Sequence, residues 1–174
     1  MNDIYLYYDV LTKEFYDPWQ NGRTIYGMSL ARLDRVRVRL AVTNGALNAS
    51  QVSSTTRIPN SDYQYDLSDM TGALFVLKTM RQYEREDSFT FASLGFDTTD
   101  TAWHQASSQT STLTLGAIVL PTDVAAGRYA VELALVKSST KARWTLQRPD
   151  PITPFLADVL RPVYAGAGLS GFLG

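Results

Sequence analysis

Residues 33–42 read LDRVRVRLAV. Val36, Val38, Leu40 and Val42 fall on one side of an extended chain, with Arg35, Arg37, Arg39 and Ala41 on the other. In a strand, successive side chains point to opposite faces, whereas a helix would bring its apolar positions round every three to four residues. The alternation therefore predicts a half-buried β-strand with valines inward and arginines outward.

The same period recurs along the chain. ALFVLKTM (73–80), SFTFA (88–92), TLTLGAIVL (112–120) and RYAVELALVK (128–137) each read as strands. In the last of these, Tyr129, Val131, Leu133 and Leu135 share a side, and ARWTLQR (142–148) adds a further strand. Asn44-Gly45, the PTDVAAG stretch and SSTK supply turns between them. Residues 46–66, rich in Ser, Thr and Asn, read as a long exposed loop, and residues 95–111 as mostly loop with a short strand around Trp103. Many short strands without a persuasive helical period before residue 150 predict an all-β fold. Its form is an antiparallel immunoglobulin-like or jelly-roll-like β-sandwich.

Two flanks complete the expected organisation. Residues 1–28 hold IYLYYDVLTKEFYD, an aromatic hairpin turning near Thr12-Lys13, as an extension ahead of a sandwich spanning 29–148. Residues 149–174 carry Pro149, Pro151, Pro154 and Pro162 and end in AGAGLSGFLG. Proline lacks the donor that a sheet ladder needs, so this stretch reads as an extended C-terminal arm. PFLADVL is expected to make a short helix with Thr153 as cap and Pro154 as its first residue. Phe155, Leu156, Leu160, Tyr164 and Phe172 then need cover from a partner.

The chain has 174 residues, 45% of them hydrophobic, which suits one globular domain with a real core. A net charge of -1 argues against a dedicated nucleic-acid binder. The absence of cysteine excludes disulfides and thiolate metal sites. The first residues, MNDIYLYYDV, lack the basic start and apolar run of a signal peptide. No apolar run reaches the roughly 18–20 residues that span a bilayer. The expectation is a protein made in the cytoplasm that leaves the cell only within a particle.

Candidate sites divide by chemistry. Arg32, Arg35, Arg37 and Arg39, with only Asp34 among them, suit either a phosphate strip or a protein interface. Arginine is enriched at interfaces because its planar head makes paired hydrogen bonds. The acidic balance favours protein, so Arg35, Arg37 and Arg39 are expected to bind a partner. His104 is the sole histidine, with Asp97, Asp100, Ser107 and Ser108 near it in sequence. No strained nucleophile turn accompanies it, so no catalytic residue is assigned. Asp97 and Asp100 in DTTD lack the spacing of a calcium loop and read as residues bonding their own backbone, so no metal or cofactor is assigned. Trp19, Trp103 and Trp144 offer aromatic faces, Trp144 being expected in the core. Tyr5, Tyr7 and Tyr8 occupy both sides of one strand, so Tyr5 and Tyr7 are expected to face a partner.

The order of these elements resembles a known family. DMTGALFVLK (69–78), LPTDVAAGRYAVELALV (120–136) and WTLQ (144–147) look like the amino-terminal β-sandwich of phage baseplate upper proteins and tail-fibre adaptors. The carried positions are Asp69, Thr71 and Gly72, then Asp123, Gly127 and Tyr129; Met70 stands where the family usually has leucine. The resemblance spans roughly residues 29–148 and implies a structural assembly protein of a virion. Such a chain sits in a tail, baseplate or connecting position, binds other virion proteins, and forms a homo-oligomer or symmetric assembly, with no enzyme activity. The alternative is a carbohydrate- or receptor-binding module on the same fold, serving host attachment.

Overall fold

The computed structural model describes residues 2–81, 89–105, 110–137, 140, 142–146 and 154–161. Among these residues eleven strands follow in chain order: β1 (Asn2–Asp9), β2 (Glu14–Asp17), β3 (Arg23–Thr24), β4 (Gly27–Ala31), β5 (Arg35–Thr43), β6 (Met70–Thr79), β7 (Phe91–Leu94), β8 (Thr112–Val119), β9 (Gly127–Lys137), β10 (Arg143–Thr145) and β11 (Leu156–Leu160). They form two sheets, one ordered β3-β2-β1-β5-β8, the other β4-β11-β9-β6-β7 with β10 also beside β9. The fold is an all-β sandwich. Both sheets are mixed rather than purely antiparallel, because β1 runs parallel to β5 and β4 parallel to β11. Parallel neighbours need long crossovers, and here the chain supplies them by switching sheets.

The alternation read from LDRVRVRLAV holds. Val36, Val38, Leu40 and Val42 are buried between the sheets, facing Leu133, Leu135, Phe75 and Leu77. Val131 is only half-buried at the margin of that core, as is Trp144, which packs against it instead of lying within it.

The aromatic start is not a separate hairpin. β1 lies between β2 and β5, pairing with β5 from Asn2↔Val36 to Asp9↔Thr43. Its alternation serves two layers: Leu6 and Tyr8 enter the main core, while Tyr5 and Tyr7 point to the other side of the sheet. That other side is covered too. Leu47, Val52 and Ile58 of the 46–66 segment, with Trp103, close over Tyr7, Tyr16 and Ala41 as a second apolar cluster. The segment expected as an exposed loop is thus a lid, stiffened by an Asn48–Gln51 capping box and a second short 3-10 turn at Ser61–Tyr63.

The largest correction concerns the arm. PFLADVL forms strand β11, not a helix, and it sits between β4 and β9. Phe155, Ala157 and Val159 point into the core, and Phe155 packs on Phe15 with ring centres 4.5 Å apart. Phe155, expected to seek a partner subunit, finds its cover within its own chain. Leu156 is half-buried on the opposite face and Leu160 is exposed. Tyr164 and Phe172 lie outside the described residues. Close packing of β4 on β11 explains Gly27, where a Cβ would stand 2.8 Å from the Leu156 carbonyl oxygen. Among the described residues, no helix is long and apolar enough to cross a membrane.

Candidate functional site

Arg37 and Arg39 of β5 face the covered outer side of the first sheet, not an open interface. The parallel register sets Asp3 opposite Arg37 and Tyr5 opposite Arg39, while Thr114 of β8 lies across from Arg39. Arg37 donates through Nε to Asp3 Oδ1 (2.8 Å) and through Nη2 to Asp3 Oδ2 (3.1 Å). Arg39 grips Asp100 with the same two-pronged geometry, at 2.8 and 2.7 Å, and its Nη1 donates to the Tyr5 hydroxyl at 2.8 Å. Cross-links at 3.4 Å (Arg39 to Asp3) and 3.5 Å (Arg37 to Asp100) join the two pairs into one network. Paired, charge-assisted hydrogen bonds of this kind are the strong ones.

The Asp100 side chain is only 3% exposed. Burial pushes its carboxyl up, but hydrogen bonds from Arg39 and Thr114 and the two guanidinium charges prevail and hold it below the usual carboxylate range. The hydrogen bond with Asp3 raises Arg37, and that with Asp100 raises Arg39, above their ordinary values. Trp103 roofs the network, meeting Tyr5 edge-on with ring centres 5.3 Å apart. DTTD therefore works as scaffold: Asp97 accepts from the Thr99 backbone N–H, and Asp100 anchors Arg39. No group of metal-ligating side chains suited to an ion occurs among the described residues.

His104 belongs to the same loop. Its Nδ1 accepts the Thr114 backbone N–H at 3.0 Å. Burial lowers its pKa from the ordinary value, and the acceptor role acts in the same direction, because a proton on Nδ1 would break that bond. The unfolded chain binds a proton near pH 6.5 while the folded chain resists it, so stability is fully present above about pH 6.5 and falls as pH drops through the folded pKa. Urea unfolding between pH 7.5 and 5 should show this loss, and His104→Asn, which keeps an acceptor without titrating there, should remove it. An unchanged pH slope in the variant would contradict the assignment.

Beside the network lies a cleft of about 430 Å³ lined by Asp3, Tyr5, Tyr7, Tyr16, Asp17, Trp19, Ile25 and Arg57. Asp17 ends β2 and caps the PWQ turn, its Oδ1 accepting the Trp19 N–H at 2.9 Å. That turn presents Trp19, which is 44% exposed. Arg57 comes from the lid with left-handed backbone (φ 62°), and its carbonyl accepts from the Tyr7 hydroxyl at 2.7 Å. Its guanidinium carbon lies 4.5 Å from the Tyr5 ring centre and 5.0 Å from that of Trp19. Burial pushes the Tyr7 phenol well up, and pushes Tyr16 up to about 12, so both are neutral hydroxyls throughout the physiological range.

No family model and no curated protein matches the chain.

Of the residues expected to bind a partner, Tyr5, Tyr7, Arg37 and Arg39 come together on this face, but within the fold. Tyr7 lines the cleft although it is buried at 2% exposure, with its hydroxyl already donated to the Arg57 carbonyl. Arg35 stands apart and exposed at the start of β5. Sequence reasoning missed Asp3, Asp17 and Arg57. One signal was present for Asp3: arginines in an alternating strand need acids, and a parallel neighbour supplies them in register.

Proposed function

We propose that this protein is a structural assembly component of a phage virion, in a tail, baseplate or connecting position, acting by binding other virion proteins and copies of itself. The motif resemblance supports the virion setting, and the open edge of β4 supports assembly as the mode of action. Among the described residues, β4 pairs on one side only, with β11. The Tyr26 carbonyl and the Arg32 N–H both face β11. By the alternation of a parallel ladder, the backbone groups of Gly27, Ser29 and Ala31 point away from the sheet. Edges of this kind are normally blunted with charge or proline, yet Gly27–Ala31 reads GMSLA. An uncharged edge offers main-chain hydrogen bonds to an added strand.

Light scattering on the full chain should find a discrete oligomer, and Ser29→Pro should yield a folded monomer. Proline at an outward-facing edge position removes the outward donor while sparing the β11 ladder. A chain that stays monomeric at all concentrations, or an oligomer indifferent to Ser29→Pro, would contradict assembly through this edge.

A further inference from the structure

We propose that the cleft bounded by Tyr5, Asp17, Trp19 and Arg57 is a binding site for a neutral carbohydrate. The site is separate from the β4 edge and uses groups that the scaffold leaves unspent. Among the described residues, no acceptor takes a hydrogen bond from the Arg57 guanidinium, although the group lines the cleft and is held against two rings. Asp17 lines the cleft and uses Oδ1 to cap the turn, and its Oδ2 accepts no hydrogen bond among the described residues. Guanidinium offers only donors and carboxylate only acceptors. A sugar hydroxyl is both, so neighbouring hydroxyls satisfy the two groups together.

The aromatic walls supply the remaining contact. Trp19 presents an exposed ring beside the cleft, a flat apolar surface suited to the C–H face of a pyranose. The charge balance selects among ligands. Asp17 opposes Arg57, and Asp3 is already neutralised by Arg37 and Arg39, so no net positive field draws an anion. A cationic ligand is disfavoured, because the Arg57 guanidinium already lies against the Tyr5 and Trp19 rings and would repel it. The walls are also held in place beforehand: the Asp17 cap sets Trp19, and the Tyr7 hydroxyl fixes the Arg57 backbone, which limits the ordering cost of binding. The volume falls within the roughly 300–1,000 Å³ usual for small-molecule sites.

The test titrates the full chain with neutral hexose, deoxyhexose and N-acetylhexosamine disaccharides, with glucuronic-acid disaccharides as the anionic arm, following by NMR the backbone amide signal of Gly22, which closes the Trp19 turn onto the Asp17 carbonyl and is kept in every variant. At least one neutral disaccharide should shift it saturably, with a Kd of about 1 mM or tighter. Trp19→Ala and Asp17→Asn should each weaken binding about tenfold or more, equivalent to about 1.4 kcal/mol, while Arg35→Ala leaves it unchanged. Asn at position 17 retains an oxygen for the turn, so that variant keeps the test valid if Trp19→Ala folds poorly. No shift with any neutral sugar, or a shift undiminished in the variants, would overturn the proposal. Binding confined to the glucuronic-acid arm would overturn the neutral class in favour of an anion site.

Discussion

Replacing Arg39 by alanine should cost the isolated chain about 3–5 kcal/mol, the range seen when one partner of a buried ion pair is removed. The variant leaves Asp100, 3% exposed, with only Thr114 at 2.7 Å and the side contact to Arg37 at 3.5 Å. It also strips the Tyr5 hydroxyl of its donor and leaves a gap beside Trp103. Urea denaturation should show a lower midpoint at an unchanged slope. The Arg35→Ala control, at an exposed residue, should stay within about 0.5 kcal/mol. If Arg39→Ala cost no more than the roughly 0–1 kcal/mol of a surface pair, the network would be decoration on a solvated face.

Truncation after Arg148 should abolish cooperative folding altogether. The deletion removes β11, and with it the strand that joins β4 to β9. It also takes Phe155, Ala157 and Val159 out of the core, which exposes Leu30 and Tyr129 around the vacated slot. A full-length Phe155→Ala variant isolates the packing part, with an expected loss of about 3–5 kcal/mol. Circular dichroism melts read both. A truncated chain that melts cooperatively as a monomer would mean that β11 is an accessory strand.

Most of the sandwich was legible because its strands alternate cleanly. Val36 to Val42 and Tyr129 to Leu135 each place one apolar face on a single core, and period two follows directly. The misread segments are those whose alternation serves two layers or is short. β1 reads as aromatic on both sides because Leu6 and Tyr8 fill one cluster while Tyr7 fills another. β11 is only Leu156–Leu160, flanked by prolines, and the Thr153-Pro154 start mimics a helix cap, although Phe155, Ala157 and Val159 alternate at period two. The lid at 46–66 hides Leu47, Val52 and Ile58 among Ser, Thr and Asn, a spacing with no period to detect.

The candidate sites were less legible because they depend on pairing. That Arg37 and Arg39 form one polar row was plain from the alternation. Which acids meet them depends on β1 lying parallel to β5, and on a loop that returns Asp100 some sixty positions later. The cleft gathers Tyr5 from β1, Asp17 and Trp19 from the end of β2, and Arg57 from the lid. No local motif links those four residues, so only the folded topology brings them together.

The proposed place of this chain in a virion is tested most directly by quantitative peptide mass spectrometry of phage particles purified from cultures that express its gene. The account predicts the chain in those particles at a fixed copy number per particle, set by the symmetry of a tail or neck. Its consistent absence from intact, infectious particles would contradict that account.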